Sequence, residues 1–173
     1  MINNFDKKKS LEDLMKFLSI EGITGEERDI AISIRDDLIK SGVPSEYITF
    51  DNANEEIPLP TQVGNLIIKL PGTIESERIM FSSHLDTVPL CKGAIPIIKD
   101  NKILPKENTA LGGDDRTGVS ALVTMIKTLF KKNIPHGPIT VLFTVREESG
   151  LWGARKVNKE DLGNPVRGYN IDG

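Results

Sequence analysis

The chain lacks several features that would assign it to particular classes of protein. It has one cysteine, Cys91, among 173 residues, so no internal disulfide suggests an oxidising compartment. It has 22 basic and 25 acidic side chains, a net charge of −3, and therefore no basic excess with which to bind nucleic acid. Its longest apolar runs, such as 141–143, are far too short to span a bilayer, and residues 1–17 contain no apolar targeting segment. We therefore expect a cytoplasmic protein with neither a nucleic-acid nor a membrane partner.

The composition is that of an ordinary globular protein, with 38% hydrophobic residues and 15 glycines. The length predicts one domain spanning residues 1–173. Two helices are predicted at the start, opening on the capping boxes SLED (10–13) and TGEE (24–27). Apolar residues at helical spacing follow each box. They are Leu11, Leu14, Met15 and Leu18 in the first helix, and Ile30, Ile34 and Leu38 in the second.

Short extended segments and a long helix follow. Strands are predicted at 66–70, 79–84 and 139–145, a hairpin at 95–104, and a helix at 115–132. This alternation of strands and helices predicts an α/β layered domain with a largely parallel sheet.

Acidic residues and one histidine recur where the predicted strands end. They are His84 and Asp86, Asp114 and Asp115, Glu147 and Glu148, and Asp172. In open α/β sheets, binding sites lie beyond the carboxyl ends of the strands. The sequence therefore predicts that four separate segments bring these side chains to one edge of the sheet.

Imidazole and carboxylate together suit Zn²⁺, and also Co²⁺ or Mn²⁺. In the order His-x-Asp, Asp86 would accept the second ring N–H of a metal-binding His84. Of Glu147 and Glu148, one could bind metal while the other moves a proton. Each group alone also has a structural explanation, such as a helix cap for Asp114 and its neighbour. Their joint occurrence between glycines favours a metal site.

Three motifs carry a resemblance to a known family. They are SHLDTVP at 83–89, GGDDRTG at 112–118, and EESG at 147–150 with Gly153 and Ala154. In content and order they resemble the co-catalytic zinc metallopeptidase family of peptidase T, acetylornithine deacetylase and the glutamate carboxypeptidases. The resemblance implies a three-layer α/β/α domain with a mixed, mostly parallel sheet. It also implies metal-dependent hydrolysis of peptide bonds in short peptides, in the manner of an aminopeptidase or tripeptidase T.

The resemblance implies a role for each matching residue and a cis peptide bond between Asp114 and Asp115. A zinc-bound water would attack the substrate carbonyl, with its proton passing to the general base and then to the leaving amine. By this resemblance His84 and Asp172 bind one Zn²⁺, Asp114 bridges both ions, Glu148 binds the second, Glu147 is the general base, and Asp86 supports His84.

The sequence departs from the family at two places. Arg116 stands where many members have lysine, and we expect it to pair with acidic neighbours. The chain ends at Gly173, whereas family members continue into a lid or dimerisation domain and later supply a histidine to the second zinc. The resemblance therefore implies an incomplete catalytic domain, truncated at its C-terminus. We expect it to be inactive alone and to assemble as a homo-oligomer or with the missing C-terminal half.

The other histidine cannot replace that ligand. His136 precedes the strand at 139–145 while Glu148 follows it, and six residue steps separate the two ends by about 20 Å. We therefore expect His136 to be a surface loop residue and the second zinc position to be weakly occupied.

Two other functions remain open. The chain could be a non-catalytic metal-binding module of the same fold, or a deacylase of N-acyl amino acids from the same family. The sequence does not choose the substrate, because in the family the residues that grip substrate lie outside this chain. A plain α/β domain with scattered acids is the alternative with no metal site.

Overall fold

A five-stranded sheet lies at the centre of the computed structural model, which describes residues 6–172. The strands of the chain are β1 (Ile48–Phe50), β2 (Leu66–Leu70), β3 (Ile79–His84), β4 (Pro96–Lys99), β5 (Lys102–Pro105), β6 (Ile139–Thr144) and β7 (Arg167–Asn170). The central sheet has the order β1-β2-β6-β3-β7, and β4 pairs with β5 in a separate hairpin. Strands β6, β3 and β7 are parallel to one another, whereas β2 is antiparallel to both of its neighbours. Four of the five strands therefore run in one direction, which confirms the predicted α/β fold with a mixed, mostly parallel sheet.

Within residues 6–172, five α-helices connect and cover these strands. They are α1 (Lys7–Ser19), α2 (Arg28–Lys40), α3 (Ala53–Glu56), α4 (Gly113–Lys132) and α5 (Trp152–Arg155). Three short 3-10 helices span Ser45–Tyr47, Pro89–Cys91 and Lys159–Leu162. In the described part of the chain, no helix combines the length and the apolar character needed to cross a membrane.

The two faces of the sheet are covered to different extents. Alternate residues of β2 and β6, such as Ile68 and Val141, belong to one large buried cluster that includes side chains of α1, α2 and α4. The residues between them, such as Ile67 and Leu142, join a small cluster with Leu162. Period-two alternation thus places three helices on one face and a short C-terminal segment on the other.

The first predicted capping box is wrong. Helix α1 begins one turn earlier, and the side chain of Asp6 accepts the N–H of Lys9 at 3.0 Å. Its buried residues are Asp13, Phe17 and Leu18, whereas Leu11 is exposed. Asp13 can be buried because Lys127 of α4 lies 2.9 Å from its carboxylate, a tertiary contact that helical periodicity does not reveal.

The second capping box is wrong too, although the predicted buried face of α2 is confirmed. Helix α2 begins at Arg28, and the side chain of the preceding residue, Glu27, makes no capping hydrogen bond. Ile30, Ile34 and Leu38 are fully buried as predicted. The Glu27 carboxylate binds elsewhere, as described below.

Candidate metal centre

His84 lies at the carboxyl end of β3 with only 2% of its side chain exposed. Its Nδ1 atom lies 3.0 Å from the carbonyl oxygen of Asp86 and 3.4 Å from the Asp86 carboxylate. Its Nε2 atom lies 3.1 Å from Oδ1 of Asp114. The backbone thus orients the ring so that Nε2 faces the carboxylates at the edge of the sheet.

Two groups of side chains at this edge have donor atoms within 4.8 Å of one another. One group is His84, Asp114 and Glu148, and the other is His84, Asp115 and Asp172. All four residues predicted as ligands fall in one group or the other, although Asp114 and Asp172 are in different groups. Imidazole nitrogen and carboxylate oxygen are donors that Zn²⁺, Co²⁺ and Mn²⁺ accept, so the donor chemistry fits a divalent metal.

Asp114 and Asp115 have different surroundings although they are adjacent. The peptide bond between them is cis, as the resemblance implies. The Asp114 side chain is 73% exposed, whereas Asp115 is buried and accepts hydrogen bonds from Ser83 Oγ at 2.6 Å and from the Gly118 amide at 3.0 Å. Asp115 therefore ties the first turn of α4 to β3 and leaves Asp114 free to face His84.

The carboxylate of Asp86 is fully buried and binds the turn that follows β6. Its two oxygens accept the backbone N–H groups of Glu147 at 2.9 Å and Glu148 at 3.0 Å. These bonds are shorter than the 3.4 Å between Asp86 and the His84 ring. The His-x-Asp pattern assigns Asp86 only to His84. It does not predict these amide contacts, because no local pattern reports which backbone amides a side chain will meet.

The turn itself directs two adjacent carboxylates differently. Arg146 has a left-handed backbone with φ of 52°, which is uncommon for a residue with a Cβ atom. After it, Oε2 of Glu147 lies 4.0 Å from His84 Nε2, while Glu148 joins the group formed with Asp114. One carboxylate thus lies beside the ring and the other beside Asp114.

Negative charge is concentrated around the single imidazole. Burial disfavours the charged ring, but hydrogen bonds and charges of Asp86, Asp114 and Glu147 outweigh burial and raise the pKa of His84 to about 9. Burial raises the pKa of Glu147 and of Glu148, and the neighbouring carboxylates raise each of them further. A divalent cation would relieve this repulsion.

A cleft of about 380 Å³ opens beside the cluster on the less covered face of the sheet. His84, Glu147 and Asp172 line it together with apolar side chains such as Met80 and Leu142. A cleft with apolar walls and a few convergent polar groups is the usual form of a small-molecule site.

The remaining predicted residues lie outside the cluster. His136 comes before β6 and its Nδ1 lies 2.8 Å from the Gly137 carbonyl oxygen, at the opposite end of the strand from Glu148. Arg116 is 1% exposed and donates to the carbonyl oxygens of Phe17 and Gly22 rather than to a carboxylate. Burial lowers the pKa of Arg116 to about 10, although the nearby Asp86 charge opposes this shift.

Comparisons with known proteins match this fold to peptidases. A family model described as peptidase family M28 matches residues 65–173. The chain is 33% identical over 168 residues to the uncharacterised protein YqjE of Bacillus subtilis. It superposes with a TM-score of 0.88 on a tripeptidase from Staphylococcus aureus, at 31% identity over 98% of the chain. It superposes equally well, with a TM-score of 0.88, on the aminopeptidase PepT from Bacillus cereus, at 32% identity over 98% of the chain.

These relatives are longer than this chain. The match covers 96% of this chain but 43% of YqjE, and 44% of each of the two solved structures. The chain therefore spans less than half the length of the relatives it matches.

Proposed function

The chain belongs to peptidase family M28, and from this membership we propose that it forms part of a metal-dependent centre that hydrolyses peptide bonds in short peptides. The family match and the similarity to PepT confirm the resemblance on which this proposal builds. The substrate class is proposed from the tripeptidase and the aminopeptidase that share the fold.

One observation carries the proposal: a buried imidazole at the end of β3 lies among carboxylates from three other segments. We assign His84, Asp114, Glu148 and Asp172 as metal ligands, with Zn²⁺ as the preferred ion and Co²⁺ or Mn²⁺ as substitutes. When bound in such a donor set, a divalent cation polarises a carbonyl and lowers the pKa of water towards neutrality.

Glu147 is the proposed general base. Its carboxylate lies beside the His84 ring but outside both potential ligand groups, and it lines the cleft. There it would accept a proton from the attacking water and deliver it to the leaving amine nitrogen. Asp86 fixes the direction of Glu147 through the backbone amide.

The two cation positions are expected to differ in affinity. We propose that the position closest to His84 and Asp172 binds one ion tightly. The position between Asp114 and Glu148 needs further ligands for full occupancy, because Zn²⁺ takes three or four protein ligands in its usual sites. A stoichiometry near one tightly bound Zn²⁺ per chain is therefore expected.

Zinc binding measured by equilibrium dialysis tests the metal assignment. The chain has two histidines, which provide a matched pair of variants. We expect His84→Ala to weaken binding by at least about 100-fold, since even residues that only support a ligand cost 10–100-fold. His136→Ala should bind as the wild type does, and Glu147→Ala should retain nearly full affinity. A wild-type chain that binds no Zn²⁺, or equal loss in both histidine variants, would contradict the assignment.

Hydrolysis assays then separate the activities. Release of amino acids from a tripeptide, lost in Glu147→Ala while zinc remains bound, supports the peptidase. Zinc binding without turnover, rescued by adding the C-terminal half of a relative, would identify one half of a peptidase, whereas no turnover even then would identify a non-catalytic metal-binding module. Turnover of acetylated amino acids but not of peptides would identify a deacylase.

A further inference from the structure

Four consecutive backbone amides at the end of β6 are held by buried side chains from elsewhere in the chain. The acceptors are Asn65 for the Val145 amide (3.0 Å), Glu27 for Arg146 (3.0 Å), and Asp86 for both Glu147 (2.9 Å) and Glu148 (3.0 Å). All three acceptor side chains are 0% exposed. The segment that carries the proposed base and a proposed ligand is therefore fixed through its main chain.

Glu27 is the acceptor whose presence local structure does not explain. It precedes α2 but makes no capping bond to that helix. Its Oε1 accepts the N–H of Gly25 at 2.6 Å as well as that of Arg146, whereas its Oε2 is buried with no hydrogen-bond partner. Burying a carboxylate with an unpaired oxygen costs free energy, so helix α2 alone gives no reason for a glutamate here.

The residue that Glu27 holds is the one on which the turn depends. Arg146 has the left-handed φ of 52° that precedes Glu147. Its guanidinium is also anchored, with Nε donating to Thr61 Oγ1 at 2.8 Å and Nη2 donating to the Pro60 carbonyl oxygen. Side chain and main chain of Arg146 are thus fixed from two different segments.

We propose that Glu27 is a positioning residue of the metal centre: by accepting the Arg146 N–H, it sets the directions in which Glu147 and Glu148 leave the strand. This inference rests on the proposed function, in which these residues are the base and a ligand. Glu27 acts through the turn rather than on metal or substrate.

The length and the charge of the Glu27 side chain can be tested separately. Only one oxygen of Glu27 is used, so glutamine can reproduce both bonds without the charge. Aspartate keeps the charge but is one methylene shorter and cannot reach both amides from the same backbone position. Positioning therefore predicts that Glu27→Gln behaves as wild type and that Glu27→Asp is impaired, whereas an electrostatic role predicts the reverse.

The test compares these variants with Glu26→Gln and Glu26→Asp, which change the exposed neighbouring glutamate. Hydrogen exchange of amides 145–148 is measured in the metal-free protein, and Co²⁺ binding is followed by its visible absorption bands. Trp152 is the one tryptophan, and its amide donates to the Arg146 carbonyl oxygen at 3.1 Å, so its fluorescence reports locally on the turn. Urea unfolding of each variant measures global stability.

We expect Glu27→Asp to bind Co²⁺ at least about tenfold more weakly, the loss typical of removing support from a ligand. Its amides at 146–148 should exchange faster and its Co²⁺ bands should change shape, while Glu27→Gln and both Glu26 variants match wild type. Wild-type affinity and exchange in Glu27→Asp, or equal losses in Glu27→Gln, would overturn the proposal.

Two further outcomes are also decisive. If Glu27→Asp does not fold, Glu27→Gln decides alone. A larger loss of Co²⁺ affinity or amide protection in Glu27→Gln than in Glu26→Gln would overturn the proposal that side-chain length, not charge, matters at Glu27. If the wild type binds no Co²⁺, the proposed metal function fails, while amide exchange in the metal-free variants still decides whether Glu27 positions the turn.

Discussion

Replacing Asp86 by asparagine tests how much of the site depends on the turn after β6. The substitution keeps the shape of a fully buried side chain that accepts the amides of Glu147 and Glu148. Asparagine has one carbonyl oxygen, so it can accept one of the two N–H groups, and its own amide group then faces the other. One bond is lost and the remaining bond becomes neutral.

The expected cost follows from these two bonds. A hydrogen bond to a charged group contributes about 1.5–3 kcal/mol and a neutral one about 1 kcal/mol. Losing two of the first kind and keeping one of the second predicts a loss of about 2–5 kcal/mol in the free energy of unfolding. The buried Arg116 guanidinium also loses a nearby opposite charge. Glu27, Glu147 and Glu148 lose a nearby like charge, so these two charge effects oppose each other.

Urea unfolding of the metal-free protein measures this loss. With a slope of about 2 kcal/mol per molar urea, in the middle of the usual range, the midpoint of Asp86→Asn should fall by about 1–2.5 M. The control is Asp36→Asn, since Asp36 is 58% exposed and paired with Arg35 at the surface. That change should alter stability by less than about 0.5 kcal/mol.

Two results would refute the reasoning about Asp86. A midpoint equal to that of Asp36→Asn would mean that the two amide bonds contribute nothing. A destabilised Asp86→Asn that binds Zn²⁺ with wild-type affinity would break the connection between the turn and the metal centre. We expect Asp86→Asn to lower both the stability and the zinc affinity, the latter by about 10–100-fold.

The remaining predictions concern the ion pairs between α1, α2 and α4. Lys127→Met should lower the free energy of unfolding by about 1.5–3 kcal/mol, the contribution of a hydrogen bond to a charged group, because Lys127 lies 2.9 Å from the buried Asp13 and 3.3 Å from Asp37. An unchanged urea midpoint would contradict this. Burial opposes ionisation of Asp37, but hydrogen bonds from two lysines outweigh it and lower the pKa of that carboxyl. A lowered folded-state pKa stabilises the protein above the unfolded value of about 3.9, and this contribution is lost as the pH falls through the folded-state pKa. The free energy of unfolding should therefore fall less steeply with decreasing pH below about pH 4 in Asp37→Asn than in wild type. Equal slopes in the two proteins would exclude this role for Asp37.

The central strands could be predicted from sequence because their signal is local. The runs at Leu66–Leu70 and Ile79–His84 are bounded by polar and turn residues, and the structure has the predicted limits. Strand β6 ends one residue earlier than predicted, at Thr144. The motifs also predicted that the proposed ligands lie at one edge of the sheet, because the parallel strands end at that edge.

The buried acids could not be predicted, since their partners are far away in sequence. The sequence predicts Glu27 as part of a capping box, yet its carboxylate binds the Arg146 amide, 119 residues along the chain. Asp13 read as the end of another capping box, yet it is buried against Lys127, 114 residues away. A local sequence pattern shows which polar groups a segment contains, but not which distant donors will bind them. Each of these acids is therefore assigned a local capping role by its pattern.

The arrangement around the turn also explains why the centre should favour a cation over an empty site. Two adjacent carboxylates after a strand repel each other, and the side chains that fix their backbone, Asp86 and Glu27, are themselves buried acids. The charge of Asp86 raises the pKa of Glu27, Glu147 and Glu148, in addition to the effect of burial. Rigidity of the turn is thus obtained at the cost of further negative charge. A bound divalent cation offsets that charge only in the folded state, so it stabilises the fold by about 2.7 kcal/mol at a concentration of 100 Kd. If the proposed metal is bound, the same acids that set the geometry of the centre would therefore also couple the stability of the fold to metal binding.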